Sequence, residues 1–206
     1  MNRKSGVLFD LDGVLLDSEG IYTRFWDAVE AQFPTHIPNF SSVIKGSNLY
    51  EILHNHYPTE AVREQVREML DNFQRDMQYQ FFDGAMEFVQ SLNDGGIPAC
   101  VVTSSDRKKM EALYRQHPDF TSHFRAIVTG DMVSKAKPDP ECFLLGARLI
   151  GVDIHDCVVF EDSLKGLQAG RASGATVVGL ATTLPREVIS PLANQVVDSF
   201  VGYRLT

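Results

Sequence analysis

The stretch VLFDLDGVLLD, residues 7–17, decides the fold. Val7, Leu8 and Phe9 run without alternation into Asp10, and Leu11, Asp12 and Gly13 follow. An unbroken apolar run suits a strand covered on both faces, as in a parallel sheet. The end of this strand carries two carboxylates and a glycine. One reading is a turn, since Asp bonds its own backbone and Gly accepts positive φ. The other is a site, since ligands of open parallel sheets lie beyond the carboxyl ends of the strands.

Similar β-branched or apolar runs recur at 99–102, 126–128, 158–160 and 176–178. Helical spacing fills the intervals. It covers 85–92, closed by Gly95 and Gly96, and 106–114. It resumes with Asp139 as N-cap and Pro140 at N1, running to about 150, and again over 164–172. Strand and helix in alternation predict a doubly wound α/β fold with a parallel sheet. Residues 18–82 break the pattern, with no convincing strand. There, 21–33 and 59–79 read as amphipathic helices, and Pro34, Pro38 and Pro58 punctuate the segment. The expected organisation is an α/β core from 1–17 and 83–206, with a helical cap, 18–82, inserted after the first strand. Hinges are expected near 17–18 and 82–84.

The chain has 206 residues, 44% hydrophobic and 22% charged, which suits a soluble globular protein with a full core. No apolar run reaches the roughly 18 residues of a membrane span. MNRKSG leads straight into the first strand and lacks the apolar stretch of a signal peptide. Cys100, Cys142 and Cys157 are widely spaced with no CxxC, so buried apolar cysteines in a reducing cytoplasm are expected. A formal net charge of −8 argues against a nucleic-acid surface. It leaves open a small phosphorylated substrate, which is bound by local donors. Neither a membrane nor a nucleic-acid partner is expected, and a monomer is the default.

Four strand ends carry chemistry. Asp10 and Asp12 follow the first strand, and Thr103-Ser104-Ser105-Asp106 the second. Lys135-Ala136-Lys137-Pro138 lies past the third, and Glu161-Asp162-Ser163 follows the fourth. A turn explains any one of these, but not all four along one rim. Together they suit phosphoryl transfer. Asp10 is placed to attack phosphorus. A carboxylate approaching a phosphate dianion needs a cation, and Asp10, Asp162 and Glu161 offer the hard oxygens that Mg²⁺ prefers. Thr103 and the backbone N–H of Ser104 can cradle phosphate oxygens. Lys137 adds a fixed positive charge. Asp12, two residues on, is expected on the same side of the extended chain as Asp10, ready as an acid and base.

Asp10-Leu-Asp12-Gly-Val, Thr103, Lys137-Pro and Glu161-Asp162 resemble the four motifs of the haloacid dehalogenase superfamily, in order and across the whole chain. The resemblance implies a Rossmann-like core, Mg²⁺ dependence and an aspartyl-phosphate at Asp10. It also implies that Asp12 binds the metal through its backbone carbonyl and keeps its side chain free. The helical insertion resembles the small cap of the branch holding β-phosphoglucomutase and sugar-phosphate phosphatases. Asp12 favours phosphate esters over haloacids or phosphonates. Tyr22 stands where that pattern gives the mutase a histidine. Leu49 stands where it gives an arginine after Lys45-Gly46-Ser47. The expected function is therefore a Mg²⁺-dependent phosphatase for a small metabolite such as a sugar phosphate. A β-phosphoglucomutase-like isomerase and a non-enzymatic phosphate sensor are the alternatives.

Other residues carry two readings. Lys45 is either a substrate contact or surface charge, and Glu19 faces substrate or solvent. Phe25 and Trp26 are cap core or substrate stackers. His54 and His56 read as a solvated helix face rather than a zinc site, and Lys135 as surface charge.

Overall fold

The structure is a computed structural model that describes residues 6–205. Strand β1 (Gly6–Phe9) lies inside a six-stranded parallel sheet, between β2 (Ala99–Val102) and β4 (Cys157–Glu161). Outside β2 lies β3 (Ala126–Val128). Outside β4 lie β5 (Thr176–Leu180) and β6 (Gln195–Val197). Strand order therefore reverses between β1 and β4, the switch point where such sheets open a crevice. Phe9 pairs with Phe160 on one side and Val101 on the other. The Asp10 N–H donates to the Phe160 carbonyl at 3.0 Å, which brings the residues after β1 and β4 to the same level.

The opening stretch is apolar without alternation because both faces of β1 are covered. Val7 and Phe9 belong to one hydrophobic cluster and Leu8 to another. In the first, Phe9 stacks on Phe160 at 5.1 Å and meets Phe88 edge-on at 5.9 Å. Helices α5 (Ala85–Asp94) and α6 (Arg107–Gln116) close that face with Phe88, Val89, Met110 and Leu113. On the other face, α7 (Glu141–Ile150) and α8 (Leu164–Ser173) contribute Phe143, Ala147 and Leu167, and α9 (Arg186–Ile189) adds Ile189. Cys100, Cys142 and Cys157 form no disulfide and are buried in this second cluster.

Residues 18–82 hold α1 (Glu19–Gln32), α2 (Phe40–Val43), α3 (Leu49–His56) and α4 (Glu60–Asp76). Their apolar faces form a third cluster around Trp26, Val29, Phe40, Leu53, Val66 and Leu70. The chain leaves and re-enters the core along paired segments. The Asp17 N–H donates to the Gln80 carbonyl, and the Phe82 N–H to the Leu15 carbonyl, both at 2.9 Å. Among the described residues no helix is long and apolar enough to cross a membrane.

Several boundaries differ from expectation. The helix expected over 59–79 ends at Asp76, where Met77 turns extended. The Gln116 side chain holds this segment, accepting from the Tyr79 N–H at 3.1 Å and donating to the Met77 carbonyl at 2.8 Å. Tertiary hydrogen bonds thus override helical periodicity. The short α2 and α3 and the three-residue β6 were not anticipated. The last has only three residues, one of them exposed, too few to establish a period. Helix α7 starts one residue later than expected, with the Asp139 carboxylate capping the Glu141 N–H at 3.0 Å.

Candidate active site

Asp10 ends β1 at the switch point and is buried. The buried Lys137 ammonium donates to the Asp10 carboxylate, to Glu161 Oε1 at 2.7 Å and to the Val102 carbonyl at 3.2 Å. One lysine thus bridges the ends of three adjacent strands. Glu161 Oε2 accepts the N–H groups of Asp162 and Ser163, each at 3.0 Å, and the Ser163 hydroxyl at 3.1 Å. Helix α8 wraps closely round this carboxylate: a Cβ on Gly166 would lie 1.7 Å from Glu161 Oε1. With four donors on its two oxygens, Glu161 is fixed by the protein itself.

Asp12 faces a different set. Ser18 and Lys109 donate to its carboxylate, and Ser105 Oγ donates at 3.1 Å. Burial opposes ionisation of Asp12. Lys109 and the two serine hydroxyls outweigh it and hold the carboxyl below its usual range. The Lys109 ammonium also lies over the Tyr22 ring, 4.5 Å from its centre. Between the two acids and the β4 end, Gly13 turns the chain at φ +76°, where an L side chain is disfavoured. A Cβ there would lie 2.0 Å from Asp162 Oδ2. That answers why the strand ends in two acids and a glycine: the glycine lets β1 meet the β4 end closely enough for the acids to share one cavity.

This cavity, of about 140 Å³, is lined by Asp10, Asp12, Thr103, Ser104, Glu161 and Asp162 from the sheet edge. Glu19, Tyr22, Trp26, Lys45, Leu49 and Gln74 line it from the helical segment. Thr103 is buried, and its hydroxyl accepts the Ser105 N–H at 3.0 Å. Across the mouth, the Ser104 hydroxyl donates to the Gly46 carbonyl at 3.3 Å and Lys165 donates to the Ser47 hydroxyl. Lys45 pairs with Glu19 at 2.8 Å.

A family model described as haloacid dehalogenase-like hydrolase matches residues 4–174, a span that holds every one of these sheet-edge groups. The chain belongs to the haloacid dehalogenase-like hydrolases. Among curated relatives, the protein SUPPRESSOR OF QUENCHING 1 of Arabidopsis thaliana is 29% identical over 97% of this chain, which spans 20% of that protein's length. Fructose-1-phosphate phosphatase YqaB of Escherichia coli is 31% identical over 85% of this chain and 96% of its own. A solved hydrolase from Pseudomonas syringae is 25% identical with a TM-score of 0.83, covering 96% of this chain and 94% of that one.

The residues singled out at the four strand ends lie together in space. Asp10, Asp12, Thr103, Ser104, Lys45, Glu161 and Asp162 share the cavity, and Lys137 stands behind Asp10. Trp26 belongs to the hydrophobic cluster of residues 18–82 and also lines the cavity. Lys135 is exposed and pairs with Asp139 at 3.5 Å. His54 is exposed and stacks on Tyr50, and His56 meets the Phe40 ring edge-on. The Tyr22 hydroxyl accepts from Gln74 Nε2 at 3.1 Å.

Sequence reasoning missed Lys109. It is one of three consecutive cationic residues, Arg107, Lys108 and Lys109, and charge alone does not choose among them. The available signal was periodicity: Lys109 shares the buried side of α6 with Met110, Ala112 and Leu113. Thr182, whose hydroxyl donates to the Gly13 carbonyl, was also missed, because the loop after β5 carries no charged group to mark it.

The donor set fits a hard divalent cation. Carboxylate oxygens of Asp10, Glu161 and Asp162 lie within 4.8 Å of one another, all buried. Burial pushes the Asp10 carboxyl up to about 7 despite Lys137 beside it. Burial, then the Glu161 and Asp10 charges, push Asp162 well above the usual carboxylate range. Among the described residues no lysine or arginine pairs with Asp162. A cluster so short of positive charge suits Mg²⁺ on Asp10 and Asp162. Glu161, already saturated with donors, is suited to hold Lys137 and the β4 turn. The Asp12 carboxylate, held by Lys109, Ser18 and Ser105, is not one of these clustered oxygens.

Proposed function

We propose that this chain is a Mg²⁺-dependent phosphatase acting on a small phosphorylated metabolite, a sugar phosphate being the leading candidate. One observation carries the reading: Asp10 and Asp12 open into a single cavity, yet each is held by its own lysine and its own partners. Two acids kept in different environments suit two roles. The likeness to a fructose-1-phosphate phosphatase over nearly all of that protein supports the same reaction class.

Lys137 and Glu161 fix the Asp10 carboxylate so that one oxygen meets the phosphorus atom. As that P–O bond forms, the ester P–O bond breaks and the leaving oxygen takes a proton from Asp12. Water then attacks phosphorus in the acyl-phosphate and passes a proton to Asp12. The bond to Asp10 breaks and inorganic phosphate departs. Thr103 and the Ser104 N–H bind the phosphoryl oxygens. Mg²⁺, when bound, neutralises those oxygens and orients the group. In this arrangement Asp12 stands as a carboxylate, ready for the second half of the cycle. Its role as acid requires that it take up a proton as the ester enters. Residues 18–82 act as a cap that closes over the ester and excludes water.

The test is a screen of phosphate monoesters with Mg²⁺, reading released phosphate and, separately, isomerised sugar phosphate. Asp10→Asn should cut phosphate release by at least roughly a thousandfold, the scale of losing a nucleophile. An unchanged rate in that variant, or isomerisation without net release, would overturn the reading.

A further inference from the structure

In a phosphatase the cap side of the cavity meets the alcohol part of the ester, so any selectivity drawn from that wall rests on the phosphatase reading. Among the described residues two lysines line the cavity, Lys45 and Lys109, and no arginine or histidine does. Both are already matched. Lys109 pairs with Asp12, and Lys45 pairs with Glu19, the latter two side chains being 20% and 22% exposed. Of the six acidic side chains in the lining, Glu19 alone comes from residues 18–82, and Asp10 and Glu161 share Lys137, which stands behind Asp10. The rest of the cap wall is uncharged. Thr23 and Gln74 offer neutral polar groups, and Trp26, Ile44 and Leu70 an apolar face.

A leaving group with its own carboxylate or second phosphate finds no unpaired cation in the lining itself; Lys165, at the mouth, is held by the Ser47 hydroxyl. Such a group must pull a lysine from its partner in a partly desolvated space, leaving Glu19 or Asp12 as an unpaired like charge beside it, and such charges repel strongly. A neutral polyol meets hydrogen-bonding groups on one side and an apolar face on the other. We infer that the cap selects phosphate monoesters whose alcohol part is uncharged, and that Glu19, by neutralising Lys45, enforces the exclusion of substrates with a second anionic group.

Matched esters test this. The pairs are glycerol 3-phosphate against 3-phosphoglycerate, and fructose 1-phosphate against fructose 1,6-bisphosphate. The native protein should show kcat/KM at least about tenfold higher for the uncharged member, the scale of one partly desolvated charge contact. Glu19→Gln releases Lys45 without removing it. It should narrow each ratio by about tenfold, chiefly through a lower KM for the charged member. Lys45→Met in the Glu19→Gln background should reverse that gain, which a merely structural effect would not do. Equal turnover of both members, or a ratio that Glu19→Gln leaves unmoved, overturns the inference. Calorimetric titration of the same pairs onto Asp10→Asn protein with Mg²⁺ reads the preference without turnover. An absence of turnover on every ester would then count against the phosphatase reading, while the binding ratio decides the selectivity separately.

Discussion

Lys109 and Lys137 are both almost wholly buried, and each has an acid partner at the same sheet edge. Their removal should nevertheless have different consequences. Lys137 neutralises Asp10 and Glu161 together, and burial disfavours its charge by less than those two acids favour it, so it stays protonated. Lys137→Met leaves two buried carboxylates without a counterion, a change expected to cost about 3–5 kcal/mol of stability. Denaturant unfolding without Mg²⁺ should show this as a lower midpoint, and an unshifted midpoint would deny the pair its structural weight. Lys109 acts on a half-buried acid at the cavity wall. Lys109→Met should lower kcat roughly tenfold to a hundredfold with a smaller change in KM, because it frees the Asp12 carboxylate to swing. If the effect runs through Asp12, Lys109→Met adds little once Asp12→Asn is present, a non-additivity that a double-mutant cycle measures. Full additivity would separate Lys109 from Asp12. These two lysines also mark how far residues could be read from sequence. Lys137 was legible because it directly precedes proline past a strand end. Lys109 was hidden because α6 opens with three cations, and only the apolar periodicity of the helix, not charge, picks out the one that turns inward.

At the scale of elements, short apolar runs located every strand but the last. Helices bearing long apolar faces were found, while α2, with four residues, and α3, with eight, were too brief to register. What the chain could not announce was the contact between the two groups of elements. The loop after α2 brings Gly46, at φ +77°, against the start of α8: a Cβ there would lie 3.0 Å from Ser163 Oγ and 3.1 Å from Lys165 Cβ. Only a residue without a side chain accepts both that backbone conformation and that approach. Gly46→Ala should therefore hinder closure. The expected result is a kcat/KM lowered by roughly tenfold, with about 1 kcal/mol of strain in the loop itself. Hydrogen exchange provides the matching observation. The paired segments at 15–17 and 80–82 should exchange more slowly when Mg²⁺ and beryllium fluoride are added to the native protein. In Gly46→Ala that slowing should shrink, and equal protection in both proteins would remove the cap from the reaction cycle.

For the molecule as a whole, the sheet order gathers acids from β1 and β4 into a buried cluster, and their charge links stability to metal and pH. Burial raises the Asp10 carboxyl from 3.8 to about 7. The metal-free native state therefore keeps a proton that the unfolded chain has already released. Between these two values the unfolded chain binds fewer protons, so native stability falls as pH rises and levels off once Asp10 has ionised. Asp162, raised by burial and by its acidic neighbours, adds to that loss. A divalent cation binds the ionised carboxylates, so at pH 5 it must first displace a proton, and at pH 8 it competes with little. The rise in Tm produced by a fixed Mg²⁺ concentration should therefore be small at pH 5 and largest at pH 8, with most of the change near pH 7. Calcium should follow the same trend, since the effect depends on ionised oxygens and not on coordination geometry. Asp162→Asn removes one partner of the cluster, and its metal-free Tm should exceed the native value at pH 8 while its response to Mg²⁺ shrinks. A Mg²⁺-induced shift that is equal at both pH values, or larger at pH 5, would mean that these carboxylates neither hold the excess proton nor bind the ion.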